Sequence, residues 1–227
     1  MKLDVLYEDN HLIAVNKPNG MLVQGDETGD KTILGEVEEY IRKKYNKPGK
    51  VFTGLVHRID RPVSGVVLVA RTSKALSRMN ELLRNREIKR EYWAIVKTRP
   101  EELKGTLENY LRKDEKQNKS FVAEKAKNNA KLAKLDYEVI GRSSSFYLLK
   151  VNLETGRHHQ IRSQLAHMGS PIRGDLKYGF PRSNKSGGIN LHAKSLEFMH
   201  PVKKEPVIIE APLPLDDNLW REFEQLS

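Results

Sequence analysis

An α+β fold on a largely antiparallel sheet is what this sequence predicts, and three observations predict it. Segments that suit strands outnumber those that suit helices. The strand-like segments follow one another around turns and rarely alternate with helices as βαβ units would. Val66-Val67-Leu68-Val69-Ala70 is a continuous apolar run, which suits a strand covered on both faces.

The elements follow in order. Leu3, Val5 and Tyr7 alternate, Asp9-Asn10 breaks the run, and His11-Leu12-Ile13-Ala14-Val15 resumes it, so two strands are expected around a turn. Lys17-Pro18-Asn19-Gly20 is a second turn. From Thr32 the period changes: Ile33, Val37, Ile41 and Tyr45 recur every fourth residue, which predicts an amphipathic helix capped by Thr32 and ended before Asn46-Lys47-Pro48-Gly49. Ser73 reads as the cap of a helix with Leu76, Met79, Leu82 and Leu83 on its buried side, and Lys89 to Lys97 returns to strand.

Asp114 to Lys131 is rich in Lys, Asn and Gln and reads as a long loop or a solvated hairpin arm. Leu135–Ile140 and Phe146–Leu153 suit a hairpin around Gly141-Arg142-Ser143-Ser144. A short helix is expected from about Arg157 to Met168, and loop from Gly169 to Gly188. Strands near Leu191–Phe198 and Val207–Ile209 precede a last helix from about Asp216 to Leu226. With no internal repeat and no evident linker, residues 1–227 are expected to form a single domain, long enough to bury a sizeable core.

Composition narrows the function. The 227 residues carry 40 Lys and Arg against 30 Asp and Glu, a net charge of +10, which makes a polyanion an expected partner; a generally basic soluble protein is the plainer reading of charge alone. Cysteine is absent, so disulfides and thiolate metal sites are excluded. No apolar run approaches the roughly 20 residues of a membrane span, and the N-terminus has no signal or transit pattern, so a cytoplasmic protein is the default.

The segment His57-Arg58-Ile59-Asp60-Arg61-Pro62-Val63-Ser64-Gly65 carries the most chemistry. A carboxylate flanked by guanidinium groups stays ionised and can act as nucleophile, base or ligand. Pro62 stiffens the backbone, and Gly65 permits a sharp entry into the following strand. By itself this pattern fits better an Asp that caps a turn and pairs with nearby Arg.

The segment resembles the His-Arg-Leu-Asp-x-x-Thr-Ser-Gly signature of the RluA family of RNA pseudouridine synthases, with Ile59 in place of Leu and Val63 in place of Thr. The second departure removes a hydroxyl that would brace the loop. The family pattern recurs along most of the chain. Asn16-Lys17-Pro18-Asn19-Gly20-Met21-Leu22-Val23 resembles its early Lys-Pro-x-Gly-x-x-Val turn, although Lys-Pro-x-Gly is also ordinary turn chemistry. Lys89-Arg90-Glu91-Tyr92-Trp93-Ala94-Ile95-Val96 resembles its Lys-x-Tyr-x-Ala-x-Val strand. Glu154-Thr155-Gly156-Arg157-His158-His159-Gln160-Ile161-Arg162-Ser163-Gln164-Leu165-Ala166, with Gly174-Asp175 and Tyr178-Gly179, resembles its Thr-Gly-Arg-x-His-Gln-Ile-Arg-x-x-Leu-Ala block. Leu191-His192-Ala193 through His200-Pro201 matches a further strand, whose role there is structural.

The resemblance implies a pseudouridine synthase fold, with helices flanking a mostly antiparallel sheet and an active-site cleft across it. It implies Asp60 as the catalytic nucleophile, Arg162 as its charge partner, and Tyr92 against the target base. A flipped uracil needs an aromatic face to replace lost stacking, yet a tyrosine alternating with Ala94 and Val96 also suits a strand core. Arg58 is expected to displace the flipped base, and Arg61, Arg157 and His159 to contact phosphate or sugar. No cofactor and no metal are implied. His158, His159 and His167 do not suggest one, because adjacent histidines diverge on a helix and no acidic ligand lies at the right spacing.

The expected partner is structured RNA, in a ribosomal or transfer RNA loop where base flipping costs least, bound by a monomer with no obligate protein partner. The first strand begins near Leu3, which leaves no room before it for the S4-type domain many relatives carry. The Lys-rich Arg112–Lys134 stretch reads either as an RNA-contacting arm or as a solvated face. Two other classes stay open: a non-catalytic RNA-binding protein that keeps the fold, and a glycosidase or nucleoside hydrolase using Asp60. The joint presence of Asp60, Tyr92 and Arg162 argues against the first, and a charge of +10 against the second.

Overall fold

The computed structural model describes residues 3–25, 29–124, 129–215 and 217–225. They fall into two compact units, one of Met1–Lys89 with Ala193–Pro212, the other of Arg90–His192 with Leu213–Ser227. Among the described residues no helix is long and apolar enough to cross a membrane.

In the first unit, β1 (Val5–Glu8) and β2 (Leu12–Lys17) form the expected hairpin. The Asp9 carboxylate makes its turn, accepting from the backbone N–H groups of His11 and Leu12 at 2.8 Å each. β2 then pairs antiparallel with β4 (Ser64–Ala70), from Leu12 opposite Ala70 to Lys17 opposite Gly65. Every residue of β4 is buried, as its unbroken apolar run requires. A two-residue strand, β3 (Gly54–Leu55), also pairs with β4. From Ala193 onward β10 (Leu191–Met199) belongs to this unit and forms an antiparallel hairpin with β11 (Pro206–Glu210).

Two helices complete the unit. α1 (Ile33–Lys44) buries Ile33, Val37 and Ile41, and the Thr32 hydroxyl accepts from the Gly35 N–H at its start, as the spacing predicts. α2 (Ser73–Arg84) buries Ala75 and Met79, with Leu76, Leu82 and Leu83 packed at the margin of the same cluster. Its cap is Thr72, whose hydroxyl accepts from the Ala75 N–H; Ser73, the expected cap, is the first helical residue. Two neighbouring hydroxyls both suit the role, and the extended backbone falls on Thr72.

The second unit is an antiparallel sheet in the order β5 (Lys89–Val96), β9 (Tyr147–Leu153), β8 (Lys131–Arg142), β6 (Lys104–Asp114), β7 (Lys119–Ala123), with Lys89 itself counted in the first unit. β6 and β7 form the hairpin arm foreseen around Asp114, but the arm is more strand than loop and starts at Lys104. Residues 125–128, within the Lys-rich stretch, lie outside the described residues. α3 (Gln160–His167) starts later than expected, so Arg157 and His159 precede it. His159 occupies the N-cap position in a left-handed conformation, with φ 51°, and makes no side-chain cap. α4 (Asn218–Glu224), capped by Asp217, buries Trp220 and Phe223 against Ile95, Leu148 and Leu213. The expected ends of that helix, Asp216 and Leu226, lie outside the described residues.

Candidate active site

The first unit holds Asp60 in a loop braced against the Lys17–Gly20 turn. Lys17, the last residue of β2, is wholly buried, a rare place for a lysine. Its Nζ donates to the carbonyls of Pro18 at 2.9 Å, Met21 at 2.7 Å and Arg61 at 3.0 Å. An ammonium has one proton for each of these three acceptors. Burial pulls Lys17 down to about 7, against the upward pull of the Asp60 carboxylate. The Gly20 N–H donates to the Arg61 carbonyl at 2.9 Å, and Arg61 Nε donates to the Gly20 carbonyl at 3.0 Å. The residue after Asp60 is therefore fastened through its carbonyl and its side chain to a turn some forty positions earlier in the chain.

The remainder of the loop is equally constrained. The Val63 N–H donates to the Asp60 carbonyl at 3.0 Å and closes a tight turn around Arg61-Pro62. Val63 is buried, so a methyl group, with no need of a hydrogen-bond partner, stands where the hydroxyl would be. Gly65 has φ 112°, and a Cβ there would lie 2.2 Å from the Ala193 carbonyl oxygen; the sharp entry into β4 is also a close approach of two backbones. His57 Nε2 accepts from the Leu68 N–H at 3.2 Å, which fixes its proton on Nδ1. Arg58 is exposed. Arg61 reaches back to Asp30 at 3.0 Å as well as to Gly20.

The second unit holds the other predicted residues. Tyr92 lies on β5 opposite Val151 and is 6% exposed. Arg162, on α3, is buried, and its Nε and one Nη form a two-pronged bond with the Asp175 carboxylate at 2.7 and 2.9 Å. Its guanidinium also stands 5.1 Å from the centre of the Tyr178 ring. Asp175 and Tyr178 thus fix the orientation of Arg162, a role that a reading of residue types left unassigned.

α3 is buried along most of its length despite three long polar side chains, and each has partners. Gln160 Oε1 accepts from Thr155 Oγ1 and the Arg157 N–H, while its Nε2 donates to the Lys134 carbonyl. Gln164 Nε2 donates to Asn109 Oδ1 at 2.8 Å and to the Leu107 carbonyl at 3.1 Å. The helix is pinned to β6 and β8 by its polar residues.

His159 is 9% exposed; its Nδ1 lies 3.0 Å from the Tyr178 hydroxyl, and its ring stacks on His158 at 3.8 Å. Burial, and then the charges of Arg162 and its neighbours, push His159 far below the usual range, so the ring is neutral. Arg157 is exposed, with Nε donating to the Leu132 carbonyl at 2.8 Å. The Tyr178 hydroxyl also takes the Ser120 N–H at 2.9 Å and donates to the Ser120 carbonyl at 3.2 Å, which ties the β6–β7 arm to this network.

Residues 11–167 match the family model described as RNA pseudouridylate synthase, well over half of the chain. The chain belongs to the RNA pseudouridylate synthase family. It is 36% identical to an uncharacterized RNA pseudouridine synthase of Bacillus subtilis over 95% of its own length and 71% of the relative's. It is also 36% identical to ribosomal large subunit pseudouridine synthase C of Buchnera aphidicola, over 93% of its own length and 68% of the relative's. Among solved structures it is similar to human RNA pseudouridylate synthase domain containing 4, with a TM-score of 0.76 at 24% identity, covering 93% of this chain and 88% of that one. The corresponding human domain containing 1 protein gives 0.74 at 21% identity over 99% and 94%. These two establish the α+β synthase fold, and the curated relatives establish an RluA-type pseudouridine synthase, an isomerase acting on RNA.

Proposed function

We propose that this chain converts one specific uridine, in a ribosomal or transfer RNA loop, to pseudouridine with Asp60 as its nucleophile. The observation that carries this reading is the bracing of the Asp60 loop by buried Lys17 and by the paired Gly20–Arg61 contacts. A group that acts on C1′ must be held still, and such bracing does that before substrate arrives.

The chemistry follows from the bond to be broken. Cleavage of N1–C1′ leaves positive character on the sugar, which an ionised carboxylate stabilises or traps. Whether by attack on C1′ or by elimination through a glycal, Asp60 is the acting group. Arg162, oriented by Asp175, is the proposed charge partner of Asp60, and Tyr92 is the proposed stacking face for the flipped base. Exposed Arg58 displaces that base from its stack. Arg61, Arg157 and His159 are the proposed contacts to phosphate or sugar; for His159 its burial favours a supporting part over direct contact. Residues 1–227 act as one catalytic domain, and the enzyme works as a cytoplasmic monomer. Two relatives named for the ribosomal large subunit make that RNA the first substrate to try.

The test is incubation with unmodified transcripts of large-subunit ribosomal RNA and of transfer RNAs, followed by nucleoside analysis. Pseudouridine at a discrete position, missing from the RNA of cells that lack this gene, is the expected result. Free uracil as product would point to a hydrolase, and binding without conversion to a non-catalytic module.

A further inference from the structure

Arg90 opens the part of β5 that lies in the second unit, two residues before Tyr92 and on the same face of the strand. Among the described residues no carboxylate pairs with it. Its one hydrogen bond among the described residues is a long one, from Nη2 to the Leu153 carbonyl at 3.4 Å. Its Nε is buried and has no partner among the described residues. Desolvation works against its charge, and the nearby Tyr92 is the group that works for it. A guanidinium nonetheless stays protonated, so this is a half-buried cation that no carboxylate among the described residues neutralises.

Its neighbourhood is shaped to admit it. Gly156 lies beside the guanidinium, and a Cβ there would stand 2.7 Å from Arg90 Nη1. Glycine at that position thus keeps the backbone of the Thr155-Gly156-Arg157 turn open beside the charge. Glu154, the nearest acid in that turn, has Lys134 as a partner at 2.9 Å. Arg157 follows Gly156 directly in the chain and is exposed.

We propose that Arg90, with Gly156 giving it access, binds a backbone phosphate of the RNA next to the target uridine. An arginine fork suits the two non-bridging oxygens of a phosphodiester, and a partly desolvated one gains more from an anion than a solvated one does. The spacing agrees. Residues two apart on a strand are separated by roughly 6.7 Å, so with a base on Tyr92 the phosphate of the same or the adjoining nucleotide comes within reach of Arg90. This rests on Tyr92 receiving the base, as proposed above.

The measurement is affinity for unmodified large-subunit ribosomal RNA transcript across a series of salt concentrations, for the wild type, Arg90→Gln and Arg90→Lys. Arg90→Gln is expected to weaken binding about tenfold and to lower the salt slope by roughly 0.7–0.9, the value of one lost phosphate contact. In turnover the same change raises KM far more than it lowers kcat. Arg90→Lys keeps the charge and recovers most of the slope, with intermediate affinity. Wild-type affinity and slope in both variants would overturn the inference, as would lower thermal stability with an unchanged slope, which marks a purely structural arginine. A wild type that neither binds nor converts any of the RNAs would instead remove the proposed function, and this inference with it.

Discussion

In the unit that carries Asp60, the decisive loop is fixed mainly through backbone carbonyls gathered around one buried ammonium, that of Lys17. In the unit that carries Arg162, the decisive helix is fixed through side chains: Asp175 on the guanidinium, Tyr178 on His159 and Ser120, Gln160 and Gln164 on strand carbonyls. The two arrangements differ in how they fail. Carbonyls around Lys17 are neutral, so removing the ammonium leaves acceptors without donors. Removing Asp175 takes both oxygens of a two-pronged carboxylate partner from a buried guanidinium, which is the more costly fault.

The largest stability effect should therefore lie in the second unit. Asp175→Asn is expected to cost about 3 kcal/mol, because Arg162 stays buried and charged with one oxygen lost to it. Chemical denaturation measures this directly; a loss below about 1 kcal/mol would mean that the pair is not what holds Arg162.

Lys17 should show itself as a pH dependence. Its pKa falls from 10.5 in the unfolded chain to about 7 in the folded protein, so between those values the unfolded chain binds the extra proton and stability rises with pH. Lys17→Met abolishes that contribution. Relative to the variant, the wild type should gain up to about 1.4 kcal/mol per pH unit across this window and nothing below it. A constant difference from pH 6 to 10 would show that Lys17 keeps its proton throughout and would remove this contrast between the two units.

The smallest effect concerns the cap of α2. Thr72→Ala should cost about 1 kcal/mol and Ser73→Ala less than about 0.5 kcal/mol. The reverse order would restore Ser73 as the cap.

Much of the fold was legible in the sequence where a single force sets the pattern. The four-residue spacing from Ile33 to Ile41 and the unbroken run of β4 both follow from burial, and both elements formed as expected. β6 was missed because Lys104-Gly105-Thr106 and Glu108-Asn109 leave few apolar residues to alternate, and its longer pairing is with β8, which follows only after the β7 hairpin. The start of α3 was misplaced because the chain enters it through a left-handed His159, a conformation that sequence signals attach to Gly or Asn. Asp60 and Arg162 were legible as types in a motif. Lys17, Asp175 and Tyr178 sat in the same motifs, yet what they do depends on burial and on partners that only the folded chain brings to them. Lys-Pro-x-Gly looks the same whether its lysine points to water or inward.

The most direct measurement is turnover by Asp60→Asn on an RNA that the wild type converts, with pseudouridine quantified after digestion. The substitution is nearly isosteric and leaves the Lys17 and Gly20–Arg61 contacts in place, so the variant should fold and bind RNA. Its pseudouridine should stay at the level of untreated RNA over many wild-type turnover times. Conversion at a rate near that of the wild type would contradict Asp60 as the nucleophile.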